Sequence, residues 1–151
     1  MNRHLHSSAV TTTAVPIAEG LFTWPSDEPR LLGGRCRACA TVTFPFQEGC
    51  PACAVGELDR VELARRGTLW TFTTQTFPVK DPYLGPSGDD FAPFAVGYVE
   101  LGDVRVEGRL TEADPARLAI GMQMETVVVP FRDAEGHEVM TYAFQPVGTE
   151  R

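Results

Sequence analysis

The sequence has few histidines, few basic residues and no long apolar run, and each shortage excludes a class of protein. No run of about 18 apolar residues occurs in the 151-residue chain, so no segment is predicted to cross a membrane. The first 15 residues are small and polar, and they lack the continuous apolar stretch of a secretory signal. We therefore predict a cytoplasmic protein with a disordered tail over residues 1 to 15.

The sequence also lacks a recognisable catalytic set. His4 and His6 lie in the predicted tail, and the remaining histidine, His137, lies in a predicted hairpin turn. Every serine falls within the first 26 residues or in the segment from 78 to 92, so no Ser-His-Asp arrangement is predicted. No glycine-rich phosphate loop precedes a helix. We therefore do not predict a chain that is catalytic on its own.

Basic residues are outnumbered by acidic ones, 13 against 20, which gives a formal net charge of −7. A chain of this charge repels phosphate backbones, so nucleic-acid binding is not predicted. Two arginine clusters flank the cysteine-containing segment, but Asp and Glu dilute both, and we predict mainly solvated charge there. The candidates to meet an anionic ligand or partner are Arg35, Arg37, Arg65 and Arg66.

The chain does contain one compact group of four cysteines. The stretch "CRACATVTFPFQEGCPAC", residues 36 to 53, holds two Cys-x-x-Cys pairs separated by ten residues. Each pair on a tight turn directs two sulfurs at one point, and four thiolates complete a tetrahedron around a metal. The sequence therefore predicts a structural Zn²⁺ held by Cys36, Cys39, Cys50 and Cys53.

Iron bound by the same sulfurs, and redox or disulfide use, are the alternatives to zinc. A cytoplasmic location keeps thiols reduced and favours a metal. The protein fills all four ligand positions, which leaves no open position for a catalytic water. Zinc supplies on the order of 10 kcal/mol of folding free energy to such a site. We expect Cys36→Ser to release the metal and unfold the ribbon, yet to leave the melting of the following domain largely intact.

Strand signals dominate from residue 67 to the end, in "GTLWTFTTQTF", "PFAVGYVEL", "VRVEGRL", "MQMETVVVPF" and "EVMTYAFQPV". Asp114 is a helix N-cap residue followed by a proline, and Gly121 is a residue that ends helices. One short helix is therefore predicted between the third and fourth strands. Five strands with a helix in that position describe an OB-fold barrel. The predicted fold is mainly β, with an N-terminal short helical segment, a four-cysteine zinc ribbon and a C-terminal five-stranded OB-fold barrel.

The chain is predicted to divide into four segments. Prolines and Gly20 exclude a long helix before the cysteines, but one or two helical turns are predicted there. That part carries more large apolar side chains than a short segment can cover, so they are predicted to pack either on the body of the protein or on a partner. The segments are a tail (1 to 15), an N-terminal docking segment (16 to 35), a zinc ribbon with its connector (36 to 66) and the OB-fold domain (67 to 148).

Several aromatic side chains are candidates to bind a partner protein. Phe44 and Phe46 project from the spacer of a ribbon too small to bury both, and others lie in or beside the Pro-rich and Gly-rich loop from 78 to 92. Aromatic anchors of this kind are frequent hot spots. The alternatives are that they join the ribbon to the barrel or plug the barrel end. The set is Phe22, Trp24, Phe44, Phe46, Phe77, Tyr83 and Phe91.

This order of parts resembles the DUF35 family, in which a rubredoxin-like zinc ribbon is followed by an acyl-CoA-associated OB-fold. The resemblance spans residues 16 to 147. It rests on "GLFTWPSDEPRLLGGRCRAC", "TFPFQEGCPAC", "GTLWTFTTQTF", "PFAVGYVELGDVRVEGRLTEADPARLAIGMQMETVV" and "YAFQPV". It implies an accessory subunit that stabilises a partner enzyme and helps to form or cover its acyl-CoA site. The partners it implies are thiolases, lipid-transfer-protein-like aldolases of steroid side-chain breakdown, and MaoC-type hydratases.

The resemblance therefore leads us to expect a hetero-oligomer with a thiolase-like or lipid-transfer-protein-type acyl-CoA enzyme, with acyl-CoA at the shared site and with neither nucleic acid nor membrane as a partner. One rival is a stand-alone acyl-CoA-binding module, in which the four candidate arginines meet the CoA phosphates. The other is a binder of single-stranded nucleic acid, which would stack bases on aromatic rings in a positive groove.

Overall fold

The computed structural model describes residues 14–148, so all but the last two residues of the predicted tail lie outside the described residues. The chain forms two sheets, a three-stranded ribbon sheet in the order β2-β1-β3 and a closed barrel in the order β4-β5-β6-β8-β7. This confirms the mainly β fold and the five-stranded barrel. The ribbon strands are β1 (Leu32–Cys36), β2 (Val42–Thr43) and β3 (Leu58–Glu62). The barrel strands are β4 (Arg66–Gln75), β5 (Phe94–Leu101), β6 (Val104–Leu110), β7 (Gln123–Arg132) and β8 (Glu138–Pro146).

Alternation along the strands determines which side chains fill the barrel. In β5 the odd-numbered residues from Ala95 to Leu101 are buried, and the even-numbered residues between them face outward. Gly97 is one of the inward residues, and it has no room for a side chain, because a Cβ there would lie 2.8 Å from the Thr71 carbonyl oxygen and 3.0 Å from Leu69 Cδ1. The ring of Phe144, which is completely buried, fills the barrel centre. Small residues on β5 therefore make room for large ones from neighbouring strands.

Strand β4 carries the irregularity that lets the barrel close. Its pairing register with β5 shifts between Leu69 and Thr71, which leaves Trp70 in a bulge. The first three residues of β4 also pair with β7, so β4 has a neighbour on both sides. Bulges increase local twist and bend a strand, which is what barrel closure requires.

The short helical segment expected within residues 16 to 35 is absent from the described structure. Instead the chain makes two isolated bridges, Pro16 with Met140 and Phe22 with Leu31, and then enters β1. Prolines lack an amide donor, and Gly20 adopts a left-handed φ of 72°, so no run of helical hydrogen bonds forms. The ribbon sheet therefore begins inside the predicted docking segment.

The helix predicted between the third and fourth barrel strands is a single 3₁₀ turn, Pro115–Arg117. Asp114 caps it as predicted, because its side chain accepts a hydrogen bond of 2.9 Å from the Ala116 amide. A second 3₁₀ turn, Gly88–Asp90, lies in the loop from 78 to 92. No helix among residues 14–148 is long and apolar enough to cross a membrane.

The ribbon sheet and the barrel share one hydrophobic core. Phe22, Leu31 and Leu63 are buried in the same cluster as the barrel residues, and Phe44 packs against that cluster. A second, much smaller cluster belongs to the metal-binding end of the ribbon and contains Cys36, Cys50 and Leu58, with Phe46 and Cys53 packed against it.

Candidate metal centre and docking surfaces

The two Cys-x-x-Cys pairs form two turns of closely similar geometry. In the first, the Ala40 amide donates to the Cys36 carbonyl at 3.0 Å, and in the second the Ala54 amide donates to the Cys50 carbonyl at 3.0 Å. Both alanines adopt a left-handed conformation, with φ of 62° and 63°. The spacing of the cysteines therefore produces the pair of matching turns that the sequence predicted.

The turns bring the four sulfurs close to one another. Cys36 Sγ lies 3.7 Å from Cys53 Sγ, and Cys39 Sγ lies 3.6 Å from Cys50 Sγ. All four sulfurs fall within 4.8 Å of one another. A regular tetrahedron of thiolates at about 2.3 Å from Zn²⁺ has edges of about 3.8 Å, so the sulfurs fit this ion. The same distances are far longer than a disulfide bond of about 2.05 Å.

Gly56 lies directly beside two of the sulfurs. A Cβ at this position would collide with Cys36 Sγ and would lie 3.3 Å from Cys53 Sγ. The glycine is buried although it lies outside any strand, between the second cysteine turn and β3. The sulfur positions therefore require a residue without a side chain at 56, and no pattern in the sequence singled this residue out.

Hydrogen bonds prepare two of the thiols to lose their protons. The Thr41 hydroxyl, 3.1 Å from Cys39 Sγ, and the Thr41 backbone lower the pKa of Cys39 to about 6. Backbone hydrogen bonds from Val55 and Gly56 lower the pKa of Cys53. Metal ligation requires thiolates, so these bonds favour binding of a cation.

The seven aromatics predicted to bind a partner do not form one surface. Phe22 is only 5% exposed and lies in the core, where it serves the ribbon–barrel junction instead of the surface. Trp24 is half-buried and donates its indole N–H to the Ala14 carbonyl at 2.8 Å. Phe44 packs edge-on against Tyr142 of β8, with ring centroids 5.5 Å apart. The burial of Phe22 and the contact of Phe44 with Tyr142 match the alternative that aromatics join the ribbon to the barrel.

The other four aromatics differ in exposure. Phe46 is half-buried beneath Arg60, whose guanidinium lies 4.1 Å from the ring centroid. Tyr83 stacks on Phe94 at 5.6 Å with nearly parallel planes, and Phe91 meets Phe94 edge-on at 6.3 Å. Phe77 is the most exposed of the predicted set, at 67%.

Three of the four candidate arginines already have carboxylate partners. Arg37 contacts Glu57 at 3.1 Å and Asp59 at 2.7 Å. Arg65 and Arg66 contact the same Glu125 oxygen, at 3.1 Å and 3.4 Å. Arg35 is exposed on β1 and makes no ion pair with another residue in the range 14–148. It is therefore the candidate with the least competition for an anion.

A cleft of about 860 Å³ lies between the 78 to 92 loop and the β7–β8 hairpin. Leu84 and Pro86 line it from the loop, and Phe131 lines it from the hairpin. Its charged lining is balanced, with Arg109 and Arg132 against Asp90 and Glu138. The sequence singled out this loop as a binding element, but it gave no sign that the hairpin would form the opposite wall. That juxtaposition depends on the closed barrel order.

Two exposed aromatics were not predicted from the sequence. Trp70 on β4 is 44% exposed and Tyr98 on β5 is 39% exposed, and their rings meet edge-on with centroids 6.2 Å apart. The sequence does indicate Tyr98, because it is a large residue at an outward position of β5, whose inward residues are smaller. The sequence does not indicate Trp70, because the bulge interrupts the alternation of β4.

Comparison with known proteins agrees with this geometry. Residues 24–59 match the family model for the ChsH2 rubredoxin-like zinc ribbon domain, and residues 60–129 match that for the ChsH2 C-terminal OB-fold domain. A DUF35 domain-containing scaffold protein of Methanocaldococcus jannaschii is 30% identical over 117 residues, which cover 76% of this chain and 79% of that protein. The chain belongs to the DUF35 family. As a DUF35 member with four converging thiolates, it carries a structural zinc site formed by Cys36, Cys39, Cys50 and Cys53.

Other relatives of this DUF35 chain are described as parts of enzymes. The benzoylsuccinyl-CoA thiolase subunit BbsA of Thauera aromatica is 31% identical over 121 residues, covering 79% of this chain and 78% of the subunit. A solved structure described as an Ltp2-ChsH2(DUF35) aldolase contains a chain 27% identical to this one, with a TM-score of 0.58. The match covers 78% of this chain and 84% of that one.

Proposed function

We propose that this DUF35 chain is a non-catalytic accessory subunit of a cytoplasmic, thiolase-fold acyl-CoA enzyme, either a thiolase or a retro-aldolase of the steroid side-chain type. In this role it binds and stabilises its partner and helps to form the acyl-CoA site. The observation that carries the proposal is the similarity, over more than three quarters of this chain, to a thiolase subunit and to the DUF35 chain of an aldolase.

The chemistry of the chain's own residues supports an accessory role. Zinc with four protein thiolates has no position for a substrate or a water, so it holds the ribbon in shape and takes no part in a reaction. His137 is exposed in the β7–β8 turn, with Asp133 3.4 Å away. No serine or cysteine nucleophile lies beside it among the described residues.

The cleft between the 78 to 92 loop and the β7–β8 hairpin is the part of this chain that we propose to contribute to the acyl-CoA site. Its apolar wall suits an acyl chain or a pantetheine arm. The guanidiniums of Arg109 and Arg132 offer contacts to anionic groups, although Asp90 and Glu138 also line the cleft. Among the arginines predicted from the sequence, Arg35 is the best remaining phosphate contact. Phe77 and the half-buried Trp24, Phe46, Tyr83 and Phe91 remain proposed partner contacts.

Co-purification tests the proposal most directly. The native chain is isolated from its own cells, the co-purifying enzyme is identified by mass spectrometry, and that enzyme is expressed with and without the chain. Thiolytic and retro-aldol cleavage of acyl-CoA substrates are then measured. We expect the enzyme alone to be insoluble or much less active. A partner that is soluble and fully active alone would rule the accessory role out.

Two binding measurements separate the rivals from this proposal. A stand-alone acyl-CoA-binding module would bind CoA esters in calorimetry without any partner, and we expect no such binding. A single-strand binder would bind oligonucleotides at micromolar concentrations in a salt-sensitive way. We expect none, because the chain is acidic and most of its candidate arginines are paired.

A further inference from the structure

Exposed aromatic side chains are concentrated on one hairpin of the barrel. Within residues 14–148, the large exposed aromatics are Trp70, Phe77 and Tyr98, which belong to β4, to β5 or to the loop between them. Trp70 and Tyr98 contact each other and form one surface, whereas Phe77 follows the far end of β4. We call this surface the Trp70 patch and define it as Trp70, Tyr98, Glu100, Arg105 and Glu107.

The Trp70 patch lies on the outer face of β4, β5 and β6. Tyr98 pairs in register with Glu107, and Glu100 pairs with Arg105. Tyr98 Oη donates to Glu107 Oε2 at 3.0 Å, and the Arg105 guanidinium lies 4.0 Å from the Trp70 ring centroid. These contacts hold both rings in fixed positions, so a partner would meet a largely preorganised surface.

The charge of the patch distinguishes a protein partner from a nucleic acid. Arg105 is its one cation, and it lies 3.6 Å from Glu100. Glu107 adds a second carboxylate, so the patch itself is not positive. Stacking of bases on aromatic rings is strong only where a positive groove follows the phosphates. The outer face of an OB-fold often binds oligonucleotides, but this one lacks the charge for it.

A second pair of an arginine and an aromatic ring lies on the same outer face, and another part of the chain packs on it. Further along the outer face, Arg109 lies 3.9 Å from the Phe94 ring centroid, which repeats the arrangement of Arg105 over Trp70. There the Tyr83 ring, from the 78 to 92 loop, stacks on Phe94 and leaves it half-buried. No ring from residues 14–148 stacks in this way on Trp70, which stays 44% exposed.

We infer that the Trp70 patch is a docking surface for the partner enzyme, which supplies an apolar or aromatic side chain to the face of Trp70 as Tyr83 does for Phe94. The partner surface is neutral or weakly charged and provides a hydrogen-bond acceptor for the indole N–H, because buried tryptophan donors normally find one. Trp, Tyr and Arg are the residue types most enriched at interface hot spots. The inference rests on the accessory role proposed above.

Alanine substitution in the full-length chain tests the inference. Trp70→Ala and Tyr98→Ala are each co-expressed with the enzyme identified by co-purification, and the dissociation of each recovered complex on dilution is compared with that of the unmodified complex. We expect each change to weaken binding by about 10-fold to 100-fold. Trp70→Phe keeps a ring and should retain part of the affinity. Ile120→Ala is the control, because Ile120 is an apolar residue outside the patch that is even more exposed than Trp70, at 68%.

The outcomes separate this inference from the accessory role. If the unmodified chain forms no complex, the accessory role fails, and the inference fails with it. If the unmodified chain binds and the Trp70 and Tyr98 variants bind equally well, only the inference is wrong. Zinc content and melting temperature must match the unmodified chain, so that lost binding is not lost folding. Oligonucleotide binding or self-association that Trp70→Ala abolishes would assign the patch to another occupant and overturn the inference.

Discussion

Gly56 lies where the backbone passes closest to a zinc ligand. Replacing it with alanine puts a methyl group against Cys36 Sγ. Because the sulfur cannot move without losing its place in the tetrahedron, we expect Gly56→Ala to reduce zinc affinity and lower the melting temperature. Metal analysis by mass spectrometry after dialysis measures the loss. Gly49→Ala is the matched control, since a methyl group there would meet no heavy atom within 4 Å outside its chain neighbours and the φ of Gly49 is not left-handed. Equal zinc loss in both variants would contradict this account.

Ala40 and Ala54 carry a conformational cost that glycine would not. A left-handed conformation costs an L-residue about 1 to 2 kcal/mol. Substitution by glycine removes this cost, but part of the gain is lost because glycine makes the unfolded chain more flexible. We expect Ala40→Gly and Ala54→Gly each to stabilise the zinc-bound protein by about 0.5 to 1 kcal/mol in chemical denaturation. Ala38→Gly, in the same turn without a positive φ, should not stabilise it. A stabilising Ala38→Gly would contradict the conformational explanation.

Glu125 makes the free energy of unfolding depend on pH at acidic values. Hydrogen bonding from Gln145, and the charges of Arg65 and Arg66, lower its pKa below the ordinary value of 4.5. A lowered pKa gives a contribution that is present above the ordinary value and is lost as the pH falls through the folded value. We expect Glu125→Gln to cost about 1 to 3 kcal/mol near neutral pH, and the difference from the unmodified chain to shrink below about pH 4. Chemical denaturation at each pH measures this difference in the free energy of unfolding, and Glu48→Gln is the exposed control. A difference that does not change with pH would contradict the role of the ionised Glu125 carboxylate.

At the scale of elements, Phe44 links the ribbon spacer to the barrel. Its ring lies edge-on to Tyr142 and packs against the shared core. We expect Phe44→Ala to lower the free energy of unfolding by about 1.5 to 3 kcal/mol while zinc remains bound, because the metal is held by residues of the other cluster. Phe77→Ala, at an exposed site, should change stability by less than about 0.5 kcal/mol. Thermal denaturation with parallel metal analysis compares them, and similar effects of the two changes would argue against the link.

The elements that the sequence predicted well are those whose pattern is local. Four cysteines at fixed spacing identify the metal site, and the alternation in β5 and β7 identifies barrel strands. The cap at Asp114 placed the turn before β7 correctly, although one 3₁₀ turn forms instead of a helix. A local signal marks where an element starts, but packing against the barrel decides how far it continues.

The elements that the sequence predicted poorly depend on contacts between distant residues. The segment before β1 has no helix because its backbone pairs with β8, about 125 residues away along the chain, and with Leu31. Phe22 resembles a surface anchor in the sequence, but it is buried in the shared core. Trp70 reads as an ordinary strand residue because nothing in the sequence reveals the bulge. Exposure is a property of the assembled fold, so it is the least predictable from a single sequence.

At the scale of the whole molecule, the shared core changes the expected response to metal loss. The sequence predicted that Cys36→Ser would unfold the ribbon and spare the barrel. Because Val42, Phe44 and Val61 of the ribbon pack against the barrel cluster, we now expect zinc loss to lower the barrel's melting temperature as well. Calorimetry of Cys36→Ser, and of the unmodified chain after chelation, measures this. A barrel transition at an unchanged temperature in both samples would show that the two parts are independent.

The bridge between Pro16 and Met140 has a consequence for solubility. The Met140 amide donates to the Val15 carbonyl at 2.8 Å, and the Ile17 amide donates to the Met140 carbonyl at 2.8 Å. These bonds occupy the outer edge of β8 at a point where β6 does not reach it, since β6 pairs with β8 at Phe144. An uncovered strand edge is a template for pairing with another molecule. A chain shortened beyond residue 17 would expose that edge, and it would be prone to aggregate even with its zinc site and barrel intact.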